Sequence, residues 1–284
     1  MSRTLSPVQL IERSIQKKYR KELWTPFVLA VKRYELIQAG DRIAVCISGG
    51  KDSMLPAKHM ELLQRHSDVP FEAKYLVMDP GYNPENRRRV EENAALLEIP
   101  VHIFETEVFD AANAAQANPC YLCARMRRGH LYSEAQRLGC NKIALGHHFN
   151  DVIETTVMAM LYGAQLQGMM PKLHSTNFPG MELIRPLYCV HEEDIIAWKR
   201  YNRLEFLQCA CRFTERRDAS GDGVGPSKRQ EVKQLLKTLR RDNPDVEKSV
   251  FNAIHAVSLD TFPGWKTRGE AHSFLEWYDE RNDR

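Results

Sequence analysis

Short apolar runs alternate with longer amphipathic stretches through the first half of the chain. The run at 42–47 is almost wholly apolar, which is typical of a strand buried on both faces. Similar runs follow at 71–78, 101–105 and 142–146, and a stretch with helical spacing separates each from the next. Strands that alternate with helices predict an α/β fold with a doubly wound parallel sheet.

The two ends of the chain differ from this central pattern. Residues 3–38 combine helical apolar spacing with many charges, and the C-terminal part is helical around a glycine-rich loop at 220–226. We therefore expect a central α/β domain over residues 39–215. Helical extensions are expected at 1–38 and 216–284.

The composition is that of an ordinary globular protein. With 43% hydrophobic and 27% charged residues, the 284-residue chain can form a large core. It contains no run of about 18 apolar residues and no apolar signal segment, so we expect a cytoplasmic protein with no membrane partner. Seven cysteines, an odd number, argue against a disulfide framework and favour reduced thiols, some of them metal ligands.

Positive charge is clustered rather than abundant. The net charge of +3 is too small to predict nucleic-acid binding by itself. The clusters lie at 17–21, 87–89, 125–128, 212–217 and 240–241. Two interpretations stand for each: a solvated helix face, or, where several clusters meet at one cleft, a footprint for a phosphate backbone.

The most specific motif follows the first predicted strand. The sequence SGGKDS, residues 48–53, lies between a strand and a helix, where glycines let the backbone approach an anion and helix N–H groups point at it. Lys51 adds a positive charge, and Ser48 and Ser53 add hydroxyl donors. The spacing fits neither a Walker A loop nor a GxGxxG fingerprint. A tight turn that only caps the helix is the alternative interpretation.

Two cysteine pairs are candidate metal ligands. Cys120 and Cys123 form a CxxC at the start of a predicted helix, and Cys209 and Cys211 form a C-x-C pair. A redox pair, a zinc site and an iron–sulfur cluster all use such thiolates, although C-x-C fits a zinc ribbon poorly.

Together these motifs resemble a known family. SGGKDS resembles the PP-loop of the ATP pyrophosphatase superfamily. The segments PCYLCARMRRGHLY, LGHHFNDVIETTVMAMLYGAQLQGMMPKL and IRPL are similar to the tRNA 2-thiocytidine synthetase family over residues 40–215. The resemblance implies a PP-loop type sheet and ATP-dependent, iron–sulfur-dependent thiolation of tRNA through an adenylated base, at C2 of an anticodon-loop cytidine.

The resemblance also assigns candidate roles to residues of this chain. It implies ATP and pyrophosphate binding by Ser48, Gly49, Gly50, Lys51, Asp52, Ser53, Met78, Asp79 and His147; catalysis by Lys51, Asp52 and Asp151, with Asp151 as acid/base or Mg²⁺ ligand; a [4Fe-4S] cluster on Cys120, Cys123 and Cys211, with Cys209 as the alternative; and tRNA contacts by Arg125 and Arg128.

The chain departs from the family pattern at two positions. The second cysteine pair is shortened to C-x-C, which leaves the third cluster ligand between Cys209 and Cys211. Asn150 replaces the first acid of the family's GHHxDD motif and leaves Asp151 as its acid. A helix N-cap is the other interpretation of Asp151.

The implied reaction needs partners. They are tRNA and a sulfur donor, such as a cysteine desulfurase or free sulfide. A homodimer is a further possibility for the assembly of the chain. We expect an outer rail for tRNA phosphates on the N-terminal extension, with a solvated face as the alternative; its residues are Lys17, Lys18, Arg20 and Lys21. Rival functions are thiolation of another tRNA base, a PP-loop ligase or amidotransferase that uses ammonia, and a zinc-stabilised RNA-binding module.

Overall fold

The computed structural model describes residues 5–109, 119–207 and 227–278. The predicted glycine-rich loop at 220–226 and the basic cluster at 212–217 lie outside these ranges. No helix within the ranges is long and apolar enough to cross a membrane.

The described residues form two compact units. The first contains those of Met1–Val152 and Met169–Pro226, and the second those of Ile153–Gly168 and Ser227–Arg284. The three-part division at residues 38 and 215 stays a prediction.

A six-stranded sheet forms the centre of the first unit. Its strands are β1 (Arg42–Ile47), β2 (Glu72–Asp79), β3 (Val101–Glu105), β4 (Lys142–Ala144), β5 (Lys172–His174) and β6 (Glu182–Ile184). Their order is β3-β2-β1-β4-β6-β5, and all pairings are parallel except that of β5 with β6. The predicted α/β class with a mostly parallel sheet is confirmed. The strands β5 and β6 were missed because polar residues bound their short apolar runs: Lys172 and His174 flank Leu173 in β5, and Glu182 and Arg185 flank the apolar pair of β6.

Seven helices of the described ranges up to residue 207 follow one another in the chain order that the sequence predicts. They are α1 (Pro7–Arg13), α2 (Thr25–Arg33), α3 (Lys51–His66), α4 (Pro84–Leu96), α5 (Pro119–Arg137), α6 (Phe149–Gly163) and α7 (Glu192–Tyr201). Two π-helical turns, Ser14–Lys18 and Arg20–Trp24, connect α1 to α2. The apolar side chains of the central strands, among them Ile43, Leu76 and Ile143, are fully buried.

The strand order produces a crevice next to β1. The chain continues from β1 to β2 and β3 on one side, whereas β4 pairs with the other side of β1. Where the order reverses in this way, the loops at the carboxyl ends of the two strands separate and leave room for a ligand. The loops that follow β1 and β4 therefore border the same crevice.

A buried ion network fastens α1 to α3. Lys58 is only 1% exposed, and its ammonium lies 2.7 Å from Glu12 and 2.9 Å from Glu61. It also donates to the Leu97 carbonyl at 3.0 Å, and Arg65 contacts the same two carboxylates. Because a buried cation is costly unless it is paired, this network fixes the start of the N-terminal segment on the sheet unit.

The second unit contains both helices and strands. Helices α8 (Lys228–Asp242) and α9 (Val246–Ala253) bury Val232, Leu236 and Phe251. A hairpin of β7 (Gly264–Thr267) and β8 (Glu270–Ser273) follows, and both turn residues, Arg268 and Gly269, have positive φ, as a type I′ turn requires. The C-terminal extension therefore contains the expected helices and also a β-hairpin that the sequence did not indicate. Arg-Gly is a weaker hairpin signal than Asn-Gly.

The buried imidazole of His59 predicts an acid-sensitive core. Its ring packs against Trp24 and Phe27, and burial lowers the pKa of His59 to about 4. The unfolded chain binds this proton near pH 6.5, so stability is complete above that pH and falls as the pH drops towards 4. We expect the loss to reach about 3 kcal/mol and to be absent in His59→Phe. Denaturant unfolding of both proteins at pH 7 and pH 4.5 measures it, and equal losses would contradict the assignment.

Candidate functional site

The loop after β1 is a compact turn that leads into α3. Gly49 has φ of +84°, a conformation that favours glycine. The Ser48 N–H donates to Ser53 Oγ at 3.0 Å, and the Ser53 hydroxyl donates to the Gly50 carbonyl at 2.9 Å. Helix α3 begins at Lys51, so the loop ends on a helix N-terminus, which favours anions.

Gly146, which follows β4, contacts the start of α3. A Cβ atom at this position would lie 1.8 Å from the carbonyl oxygen of Asp52. Gly49 is crowded as well, because a Cβ there would lie 2.7 Å from Val90 and 2.8 Å from Leu207. Gly146 thus lets the loops after β1 and β4 come together at the crevice, and Gly49 lets the loop after β1 pack against α4 and Leu207.

The two loops line a cavity of about 370 Å³, a size typical of small-molecule sites. The carboxyl ends of β1 and β4 form one side, and a face of α5 forms another. Six of the predicted site residues line it: Ser48, Asp52, Ser53, Met78, His147 and Arg128. The cavity thus brings together residues that are up to 99 positions apart in the sequence, from Ser48 to His147.

The face of α5 in the cavity differs from the predicted one. Ala124, Arg127, Arg128 and Leu131 line the cavity, at the helical spacing of residues that share one face. Arg125 is exposed and is not among the lining residues, so its contact with tRNA stays a prediction. From the sequence, Arg127 stood out only as part of a basic cluster, although its spacing from Leu131 could have indicated this face.

Two carboxylates hold the ammonium of Lys51. Its Nζ lies 2.7 Å from Asp52 and 3.2 Å from Glu192, the first residue of α7. Burial would lower the pKa of Lys51, but these carboxylates raise it above its ordinary value, so the ammonium stays charged at neutral pH. Asn150, which replaces a family acid, accepts the Glu192 N–H at 2.9 Å and so positions the residue that holds Lys51.

A buried imidazole lies between the two acids that the resemblance assigned to catalysis. The ring nitrogens of His148 lie 3.7 Å from Asp52 and 3.5 Å from Asp151. Asp151, the third residue of α6, also accepts the backbone N–H of His148 at 3.0 Å, as the third helical residue of a capping box does. Asp52 and Asp151 therefore contact the two ring nitrogens of one imidazole. For Asp151 both interpretations remain: an acid/base or Mg²⁺ ligand, and a residue that caps the helix.

Asp79, at the end of β2, shapes a turn. Its carboxylate accepts the N–H groups of Gly81 and Tyr82 at 2.9 and 2.7 Å and contacts Arg87 at 2.7 Å. Burial would raise the pKa of Asp79, but these donors lower it. Its neighbour Met78, in contrast, lines the cavity.

Arg185, one residue beyond β6, was not singled out from the sequence. The residue is 9% exposed, it donates to the Met170 carbonyl, and its Nε has no hydrogen-bond partner among the described residues. Burial lowers the pKa of Arg185 to about 10, which leaves it charged at neutral pH, and Arg128 and Asp151 act on it electrostatically. Arg185 belongs to the segment IRPL, which indicated the family resemblance but no role for this residue.

Half of the candidate cluster ligands fall in described structure. Cys120 and Cys123 lie three positions apart near the start of α5, and Cys123 is half-buried. Cys209 and Cys211 lie outside the described residues, so the third ligand stays a prediction. Within the described ranges, no group of three or more His, Cys, Asp or Glu residues is placed to hold a metal ion.

Comparison with known proteins gives consistent matches. The family described as a PP-loop domain matches residues 12–211. A tRNA-cytidine(32) 2-sulfurtransferase from Citrifermentans bemidjiense is 36% identical over 80% of this chain and 87% of the relative. That of Geotalea uraniireducens is 37% identical over 80% and 88%. A U34-tRNA thiolase from Methanococcus maripaludis, solved with its [4Fe-4S] cluster, has a similar fold, with a TM-score of 0.64, 17% identity, and coverage of 88% and 83%.

The glycine loop, the strand order and the family match define a PP-loop protein. More narrowly, the chain belongs to the family of the tRNA-cytidine(32) 2-sulfurtransferases. The resemblance recognised from SGGKDS and the cysteine-containing segments is confirmed.

The close contact at Gly146 predicts that an added methyl group at this position disrupts the ATP site. Gly146→Ala must push the start of α3 away, so we expect a loss of at least about 2 kcal/mol in stability and weaker ATP binding. Gly129→Ala is the control, because a Cβ there meets nothing within 4 Å. That helical position should gain about 0.5–1 kcal/mol instead. Thermal unfolding and nucleotide titration measure both variants, and a Gly146→Ala protein with wild-type ATP affinity would show that the contact does not hold the loop.

Proposed function

We propose that this protein catalyses the ATP-dependent 2-thiolation of a cytidine in the anticodon loop of tRNA. The observation that carries the proposal is the cavity between the glycine loop and Gly146, at the point where the strand order reverses. Its support in the comparisons is the name of relatives that are 36–37% identical over most of their length.

The glycine loop binds the triphosphate of ATP. Backbone N–H groups at the start of α3 and the hydroxyls of Ser48 and Ser53 donate to phosphate oxygens. Lys51 exchanges its contacts with Asp52 and Glu192 for contacts with phosphate, and those carboxylates keep it charged until ATP arrives.

Asp52 and Asp151 serve as ligands for the Mg²⁺ that accompanies ATP. Magnesium in such sites takes one or two carboxylates in addition to phosphate oxygens. The two acids fit this donor set by their chemistry, and each contacts a ring nitrogen of the same buried His148, at 3.7 and 3.5 Å. Lys51 neutralises charge on the leaving pyrophosphate, and the metal would supply further positive charge there when bound.

Adenylation converts a poor leaving group into a good one. The cytidine C2 oxygen attacks the α-phosphate, an O–P bond forms, and pyrophosphate leaves. Arg127 and Arg128 line the cavity, so their positive charge lies near the charge that develops on the phosphates. Met78 and His147 occupy the remaining wall, where the nucleoside of ATP binds.

The cysteines of α5 fit a [4Fe-4S] cluster in chemistry and place. Thiolates are the ligands that such clusters take, and Cys123 directly precedes the cavity-lining Ala124. Cys120 and Cys123, with Cys211 or Cys209, would hold the cluster, which would supply sulfide to C2 of the activated base. The C2–O bond then breaks and AMP leaves.

The remaining parts of the proposal concern partners. The sulfur comes from a cysteine desulfurase or from free sulfide, and the reaction takes place in the cytoplasm. Every residue named in this scheme comes from one chain. The site is therefore complete in a monomer and in each protomer of a homodimer.

Removal of the Lys51 ammonium tests the nucleotide site. We expect Lys51→Ala to weaken ATP binding by about 10- to 100-fold, since a charge-assisted contact to phosphate is worth about 1.5–3 kcal/mol. Arg88→Ala is the control, because Arg88 is exposed and contacts only Glu92 among the described residues. Calorimetric titration with ATP measures both. Wild-type affinity in Lys51→Ala would refute the PP-loop assignment.

Single cysteine variants test the cluster. We expect Cys120→Ala, Cys123→Ala and Cys211→Ala to lose iron, the brown chromophore and thiolation, while they still bind ATP. Cys209→Ala and the control Cys189→Ala should keep all three, because those thiols are not ligands in this assignment. Iron, sulfide and zinc analysis after anaerobic purification measures the outcome. Stoichiometric zinc without iron would contradict the cluster, and loss in Cys209→Ala alone would reassign its third ligand.

A further inference from the structure

A second and larger cavity lies away from the glycine loop. It has a volume of about 780 Å³ and is formed by α1, the π-helical turn Ser14–Lys18 and the end of α7. Leu10 and Ile11 supply part of an apolar floor, and four cations line it: Arg13, Lys17, Lys18 and Arg203. We call this cavity the N-terminal groove. π-Helical turns are uncommon, and they occur frequently at functional sites.

The charge of the N-terminal groove is uncompensated. No carboxylate is among its lining residues, and none of its four cations forms an ion pair within the part of the chain that the structure describes. The only nearby acid of α1, Glu12, is engaged by Lys58 and Arg65. Four like charges around one cavity repel each other, so an anion is the ligand that this arrangement favours.

In a second basic cluster of this chain, by contrast, carboxylates neutralise the positive charges. On α4, Arg87 contacts Asp79 and Glu91, Arg88 contacts Glu92, and Arg89 contacts Glu85. That cluster is therefore a solvated helix face, the first of the two interpretations that the sequence allowed. The groove cations do not fit this interpretation.

An aromatic ring lies beside the groove cations. Tyr201 is 52% exposed, and the ammonium of Lys18 lies 3.7 Å from the centroid of its ring. Tyr19 packs edge-on against it at 5.8 Å, and the Tyr19 hydroxyl donates to the Ala197 carbonyl, which fixes the pair on α7. Aromatic faces next to cations are what single-stranded nucleic acids bind, because bases stack while phosphates pair.

The groove is connected to the ATP site by one helix. Tyr201 ends α7, and Glu192, which contacts Lys51, begins it. At a rise of about 1.5 Å per residue, the two ends of α7 are about 14 Å apart. One RNA strand of a few nucleotides can span this distance.

We propose that the N-terminal groove binds a single-stranded segment of the tRNA substrate, with phosphates on Arg13, Lys17 and Arg203 and a base against Tyr201. The inference rests on the proposed function and adds to it the surface that holds the RNA next to the reacting cytidine. A free phosphate or a lipid headgroup would use only the cations, whereas the apolar floor and the exposed ring match a base. Of the rail expected from the sequence, Lys17 and Lys18 line the groove, and Arg20 and Lys21 do not.

The test compares two full-length variants with the same change in charge. Arg13→Gln/Lys17→Gln/Arg203→Gln removes three groove cations and keeps Lys18, which packs on Tyr201. Lys32→Gln/Arg88→Gln/Arg89→Gln removes three exposed or paired cations outside the groove. Binding of an unmodified tRNA transcript is measured at several salt concentrations. We expect the slope of log K against log salt to fall by about two units in the groove variant and to change little in the control.

Substitution of the ring tests the base contact. Tyr201→Ala should weaken tRNA binding by about 5- to 100-fold, and Tyr201→Phe, which keeps the stacking face, should restore it. Thiolation by the groove variant should show a raised KM for tRNA with kcat and ATP affinity unchanged, and unchanged thermal unfolding shows that the fold is intact.

The outcomes separate the groove from the proposed function. If the wild type binds and thiolates tRNA and the groove variant keeps the wild-type slope, the groove inference is wrong and the proposed function stands. Groove-dependent binding of phosphatidylglycerol vesicles or polyglutamate, with groove-independent binding of tRNA, would also overturn it. If the wild type binds no tRNA, the proposed function itself fails.

Discussion

The site depends on one backbone contact, the approach of Gly146 to the carbonyl of Asp52. This contact joins the loop after β4 to the start of α3, so the glycine loop and the segment 147–151 are held at one crevice. From there Asn150 accepts the first N–H of α7 and positions Glu192, which holds Lys51. The reversal in strand order produces the crevice. Because Gly146 has no Cβ, the loops on the two sides of the crevice lie close enough together to contact one ligand.

Local pairing, rather than total charge, decides where this protein can bind anions. The net charge is only +3, yet Lys51 is held charged at the glycine loop and Arg185 is buried with an Nε that has no partner among the described residues. The groove cations have no acidic neighbour in the groove, whereas Arg88 on α4 is paired. The unpaired groove cations, at a cost in self-repulsion, mark the surface that fits RNA phosphates, whereas Lys51 exchanges its two carboxylate partners for the phosphates of ATP.

Much of the fold and part of the site could be predicted from the sequence. Strands β1 and β3 have the predicted bounds, because an almost wholly apolar run marks β1 and Val101, Ile103 and Phe104 mark β3, and SGGKDS identifies the loop without further information. The strands β5 and β6 and the role of Glu192 could not be predicted, because polar residues interrupt the apolar runs of these two strands and long-range ion pairs leave no local pattern. Arg127 was not predicted, although it lies four positions before Leu131 on the same face of α5. Arg125 and Arg128 were assigned as the tRNA contacts instead. Cys209 and Cys211 differ by two positions, and no periodicity chooses between them.

The central claim is that this site adenylates a tRNA base and replaces its C2 oxygen by sulfur. The most direct measurement is nucleoside analysis by mass spectrometry of tRNA incubated anaerobically with the iron-loaded protein, ATP, Mg²⁺ and sulfide. The account predicts 2-thiocytidine, with one AMP and one pyrophosphate released for each thionucleoside formed. Cleavage of ATP to AMP and pyrophosphate without any thionucleoside, or a product in which ammonia has entered the base, would contradict it.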